Sequence, residues 1–189
     1  SDKRVVCYQP YVAKQSRTRL TCLLDSKSKK KIHYKASNIL FVMPAISSFV
    51  VRSSSQYTPL HAFLIYKLAL RIANHLASMG TCCTFRIPET TDPFNRAYRE
   101  YIRNHRVHTL SCEKLISIDS DKHDLIAIMY PETTMLDVAM SGNPFVVYSC
   151  PNAYSFQELF SQLVYSLEES KIFTQDSCQF EKHIVSLAS

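Results

Sequence analysis

The chain contains no uninterrupted apolar stretch long enough to span a bilayer, and Ser1-Asp-Lys-Arg does not open a signal peptide with its following apolar region. On these grounds a cytoplasmic, water-soluble protein is expected. Its seven cysteines are odd in number and form no Cys-x-x-Cys pair, which argues against a zinc site or a secreted disulfide framework. Cys82 and Cys83 fall in an apolar run and are expected to be small buried hydrophobes. The seven histidines lack ligand spacing, so no metal is expected; His105 and His108 straddle a helix end and a strand start and are expected to be solvent-exposed. No internal repeat, low-complexity tract, RNA-binding aromatic signature or zinc-finger spacing occurs, and nucleic acid is not an expected partner. Glycine occurs only twice, at 80 and 142, each where a helical pattern stops.

What charge there is lies unevenly. Residues 1–37 hold ten Lys or Arg against Asp2 and Asp25, a net +8, so the rest of the chain, with the total at +6, carries −2. This segment (1–37) reads as two strand-like runs followed by Lys27-Ser-Lys-Lys-Lys-Ile-His-Tyr-Lys35, a hairpin or a linker. Such a segment suits an anionic membrane surface, and equally a solvated loop. The remaining 152 residues, 38–189, are long enough to bury one substantial core.

In that second part strand and helix alternate. Ile39 to Met43 is a short apolar strand. Thr58-Pro59 forms a cap with proline at the first helical position, and Leu60, Phe63, Leu64, Leu68, Ile72 and Leu76 keep helical spacing until Gly80. A strand over 81–87, an Arg-rich helix near Pro93 to Asn104 and a short strand near Val107 to Leu110 follow. Leu125 to Met129 and Phe145 to Tyr148 are apolar runs of the kind buried strands show. Ser155 to Glu169 carries Phe156, Leu159, Phe160, Leu163, Val164 and Leu167 on one stripe, and the end of the chain suits one more helix. The pattern implies a Rossmann-like α/β domain of three layers (αβα), with a mostly parallel sheet and right-handed crossovers.

The stretch between the two central strands carries the most chemistry. Pro131 fits a turn, Thr133 or Thr134 can cap a helix, Gly142 suits the left-handed position past its last turn, and Pro144 prevents continuation. Thr133, Thr134, Asp137 and Ser141 share one helical face. Unpaired N–H groups at the helix start, beside two hydroxyls, would seat a phosphate, and Asp137 would accept from a sugar hydroxyl. The ordinary alternative is a threonine cap and a solvated carboxylate. Ligands in parallel sheets bind outside the carboxyl ends of the strands, which gathers the loop 44–57 with Arg52, the segment Arg86 to Glu89, and Pro131 to Thr134 on one rim. Arg52 and Arg86 could neutralise a diphosphate there, since a guanidinium fork matches phosphate oxygens.

The run Tyr130-Pro-Glu-Thr-Thr-Met-Leu-Asp-Val-Ala-Met-Ser-Gly-Asn-Pro-Phe-Val-Val-Tyr148 resembles the signature in the C-terminal half of GT-B glycosyltransferases, in particular bacterial enzymes of surface-carbohydrate assembly. Asn38-Ile-Leu-Phe-Val-Met-Pro44, with Arg52 and Ser55-Gln-Tyr57 behind it, resembles their opening strand and loop, and Thr84-Phe-Arg-Ile-Pro-Glu89 resembles the segment that faces the nucleotide diphosphate. The likeness covers roughly residues 38 to 169. The chain departs from it at Glu132, where a small hydroxyl residue is usual, at Ile87, where many relatives have His, and at Asp137, where Glu is usual.

The resemblance implies a nucleotide-sugar-binding domain that works in surface polysaccharide or lipopolysaccharide assembly, peripheral to the inner membrane. It implies a nucleotide-diphosphate sugar as substrate without a cofactor, and Arg52, Arg86, Glu89, Thr133, Thr134 and Asp137 as its contacts. A GT-B enzyme has two such halves, so an N-terminal acceptor-binding half is the implied partner. That half would supply the catalytic base; here His61 and Glu89 are only weak substitutes, and the isolated chain is expected to be catalytically incomplete. Two other readings stand beside this one: a non-catalytic interaction domain that kept the scaffold, which Glu132 and Ile87 favour, and half of a sugar-nucleotide epimerase-like enzyme.

Overall fold

The structure is a computed structural model and describes residues 35–44, 58–88, 93–105, 108–111, 122–131, 133–151, 153 and 158–189. Tyr34–Ser189 forms one compact unit. The basic segment, apart from its last three residues, lies outside the described residues, as do Arg52, Glu89 and Glu132.

Six strands form one all-parallel sheet: β1 (Asn38–Val42), β2 (Cys82–Arg86), β3 (Thr109–Leu110), β4 (Leu125–Ile128), β5 (Phe145–Tyr148) and β6 (Phe173–Thr174). Their spatial order is β3-β2-β1-β4-β5-β6. The helices are α1 (Pro59–Ser78), α2 (Pro93–His105), α3 (Thr133–Ser141), α4 (Glu158–Glu169) and α5 (Ser177–Ala188). The chain thus winds outward from β1 to one edge, returns to β4 and winds outward to the other. This is the doubly wound Rossmann-like order.

Side-chain alternation along the strands divides the core into two layers. Ile39, Phe41, Cys83, Phe85, Leu125, Ala127, Val146 and Tyr148 face α1, α2 and α5. Leu40, Val42, Ile126, Ile128 and Val147 face α3 and α4. Because β1-to-β3 and β4-to-β6 run in opposite directions across the sheet, a single hand of crossover places their helices on opposite faces. Phe41 and Phe85 stack with ring centroids 5.2 Å apart, coupling the first two strands beneath α1.

Local signals account for the element ends. Thr58 Oγ1 accepts the N–H of His61 at 3.3 Å, with Pro59 at the first helical position of α1. That helix closes with Gly80 N–H to Ala77 O and Thr81 N–H to Leu76 O, both 3.0 Å, while Gly80 takes φ +85°. This paired closure is the Schellman motif, and it requires a left-handed residue. Gly142 also takes a left-handed φ, +79°, after α3, where Ser141 Oγ donates to Val138 O at 2.7 Å and accepts the Asn143 N–H at 3.4 Å.

Several expectations need correction. The chain past 170 contains β6 as well as a helix, a two-residue strand too short to show a period. Cys83 is buried but Cys82 is exposed, since neighbouring strand residues point to opposite faces. His105 is exposed, whereas His108 is buried, its Nε2 2.8 Å from Asn74 Oδ1 and its ring tilted against Phe85. Burial lowers the His108 pKa. Among the described residues no helix is long and apolar enough to cross a membrane.

Candidate functional site at the strand-order reversal

The amino and carboxyl edges of the sheet are built differently. At the amino edge Asp124 Oδ2 accepts from Ser37 N–H (2.9 Å), Ser37 Oγ (2.8 Å) and Asn38 N–H (3.0 Å), while Asp124 N–H donates to Asn38 O at 2.8 Å. These bonds, the Ser37 hydroxyl foremost, hold the Asp124 carboxyl below its usual range. The starts of β1 and β4 are therefore clamped together. At the carboxyl edge the connections leave β1 and β4 toward opposite faces, because α1 and α3 lie on opposite sides of the sheet. Adjacent strands whose connections part in this way leave a crevice at their carboxyl ends.

At this edge ladder bonds run one residue past the strands. Met129 N–H donates to Val42 O at 3.0 Å, and Met43 N–H donates to Arg86 O at 3.0 Å. Val42 is the register partner of both Arg86 and Ile128. The three residues therefore share a level and a face, the one covered by α3 and α4. Arg86, half-buried, stands about two strand spacings (~9–10 Å) from Ile128, on the side of the sheet where α3 begins.

Alternation continues beyond Ile128 to Tyr130, which packs into the same layer. Its hydroxyl lies 3.0 Å from Thr134 Oγ1 in the first turn of α3, and either can donate. The helix begins at Thr133, so neither threonine stands before the helix as its cap; both are first-turn residues. Of Thr133 the backbone alone is described. Asp137 lies one turn further along and is exposed, while Ser141 is occupied in closing the helix, accepting from Asn143 Nδ2 at 3.1 Å.

Three contributors escaped the sequence reading. Tyr130 was legible only as part of a motif, although 126, 128 and 130 alternate and 130 precedes 134 by one helical turn. Ser149 follows β5 with its N–H held by Thr174 O at 3.1 Å. It is fully buried, and its hydroxyl has no partner among the described residues. By alternation from Val147 it too lies on the α3 face. Arg99, on α2, is buried and donates from Nη1 to Ile87 O at 2.7 Å, just past Arg86. No sequence pattern distinguishes it from the other arginines of that helix.

The remaining titratable groups narrow the chemistry. Burial, and then Cys82, push the Cys83 thiol up to about 12, and burial also raises Cys150, so neither suits a thiolate nucleophile. Tyr148 is likewise pushed up to about 12, mainly by burial. His61 lies in the first turn of α1, at the same edge of the sheet, with Nδ1 buried and without a partner among the described residues. Backbone N–H groups at a helix start, hydroxyls and a guanidinium are the kinds of group that hold anions. Arg86 and the start of α3 lie on one face of the sheet at its carboxyl edge, and Asp137 lies further along the helix. Comparison of the chain with protein-family models, curated proteins and solved structures returned no match.

Proposed function

We propose that the domain binds the diphosphate of a nucleotide sugar in the crevice between β1 and β4, as the donor half of a bacterial two-lobed glycosyltransferase of surface-carbohydrate assembly. The observation that carries the reading is the shared face of Arg86 and the α3 start beside the strand-order reversal. Glycosyl transfer needs its nucleotide leaving group held while negative charge grows on it. First-turn N–H groups and an arginine supply that stabilisation without a metal. The resemblance over residues 130–148 adds the substrate class. On this reading the acceptor and the catalytic base belong to a separate acceptor-binding half, and this chain alone binds donor without turnover.

A second reading has its own support. Ile87, at the position where many resembling enzymes carry His, is a core residue only 3% exposed. That substitution suits a domain that kept the scaffold for protein interaction and lost the nucleotide. A thermal-shift panel of nucleotide sugars, nucleoside diphosphates and free sugars separates the two. Stabilisation by diphosphate-bearing ligands alone supports the donor site, whereas no shift with any of them supports the interaction domain.

A further inference from the structure

The carbonyl of Ile87 is the first on β2's chain beyond the sheet ladder. Phe85 O is taken by Ser111 N–H at 2.9 Å and Arg86 O by Met43 N–H at 3.0 Å, so the pairing ends at Arg86. Arg99 Nη1 then takes Ile87 O at 2.7 Å from α2. Arg99 is only 9% exposed, and burying a guanidinium is costly unless its donors are used. The bond is charge-assisted, the stronger class of hydrogen bond. It ties the helix to the backbone just past Arg86. The same helix is anchored nearby at Asn95, also fully buried, whose Oδ1 accepts from Tyr66 Oη of α1 at 3.1 Å, with Tyr66 and Tyr98 stacked at 3.9 Å. The rim that carries Arg86 is therefore tied to α2, which Asn95 and Tyr98 in turn tie to Tyr66 of α1.

We propose that Arg99 is a positioning residue: it fixes the backbone at 86–87 so that Arg86 is presented at the crevice, and this rests on the donor-site reading for its functional consequence. A neutral donor could satisfy one carbonyl. A guanidinium makes that bond charge-assisted and so holds the carbonyl more firmly.

The test uses the full chain and pairs hydrogen exchange with nucleoside diphosphate titration in Arg99→Lys, Arg99→Met, Arg86→Ala and the Arg86→Ala/Arg99→Met double variant. Arg99→Met should speed exchange at the Met43 amide, which Arg86 O accepts, and weaken the diphosphate about tenfold or more, with Arg99→Lys recovering most of both. The double variant should bind no more weakly than Arg86→Ala, since Arg99 acts through Arg86. Losses that multiply, or a folded Arg99→Met with unchanged exchange and affinity, would overturn the assignment. If the wild type binds no nucleoside diphosphate, the donor-site reading fails. The exchange result then decides the positioning role by itself: faster exchange in Arg99→Met than in Arg99→Lys supports it, and equal rates overturn it. If Arg99→Met does not fold, Arg99→Gln, which keeps a donor without the charge, takes its place and should show intermediate exchange; wild-type exchange and affinity in that variant would refute the role of charge.

Discussion

The Tyr130 hydroxyl lies 3.0 Å from Thr134 Oγ1, joining the residue that leaves β4 to the first turn of α3. The two are one helical turn apart in sequence but belong to different elements. The bond therefore sets how the start of the helix sits over the end of the strand.

Tyr130→Phe removes that bond while keeping the ring in its layer. The expected loss of stability is about 1 kcal/mol, the usual net value of such a bond, measured by urea unfolding. Nucleoside diphosphate affinity should fall by a similar free energy, roughly fivefold. Unchanged stability and affinity would remove Tyr130 from the account.

Arg86→Ala should weaken a diphosphate ligand by about 1.5–3 kcal/mol, the range for hydrogen bonds to charged groups. Binding by the wild type should weaken as salt rises, and less steeply so in the variant, because one screened charge is gone. Calorimetry at two ionic strengths checks both, with the unphosphorylated nucleoside as control.

Asp124 gives a pH prediction at the opposite edge. Its folded pKa is depressed, so its contribution to stability is fully present above the unfolded value of about 3.9 and is lost as pH falls through the folded value. The carboxylate is only partly buried and so partly screened, and the contribution is on the order of 1 kcal/mol. Wild type should therefore exceed Asp124→Asn in stability at neutral pH, and the difference should vanish at strongly acidic pH. A pH-independent difference would contradict the hydrogen-bond assignment.

Gly142→Ala isolates backbone conformation, because a Cβ there meets nothing within 4 Å while φ is +79°. The expected cost is about 1–2 kcal/mol, the penalty of the left-handed region for an L-residue, read from denaturant unfolding. Gly80→Ala, with φ +85° and the same open space, should cost about as much.

Much of the fold could be read from the chain because its strands are short apolar runs and its helices begin and end on strong signals. Thr58-Pro59, Gly80 and Gly142 mark boundaries through chemistry that does not depend on tertiary context. Phe173–Thr174 was illegible because two residues have no period and pair only through β5. His108 misled for a related reason. Its place in the core comes from Asn74 and Phe85, 34 and 23 positions away. The choice of the carboxyl edge followed from the rule that ligands meet parallel strands there; Arg86 and Thr134 stand at that edge, while Arg52 and Glu89 lie outside the described residues. Tyr130, Ser149 and Arg99 depend on register and on a helix-to-strand contact, which one sequence does not display.

The most direct measurement is calorimetric titration of the 189-residue chain with uridine, guanosine, adenosine, cytidine and thymidine diphosphates, repeated with Thr134→Ala and Arg86→Ala. A donor site at the start of α3 predicts saturable binding of at least one diphosphate, weakened in both folded variants. Absence of binding by all five, or affinity indifferent to both substitutions, would contradict a donor site at the start of α3.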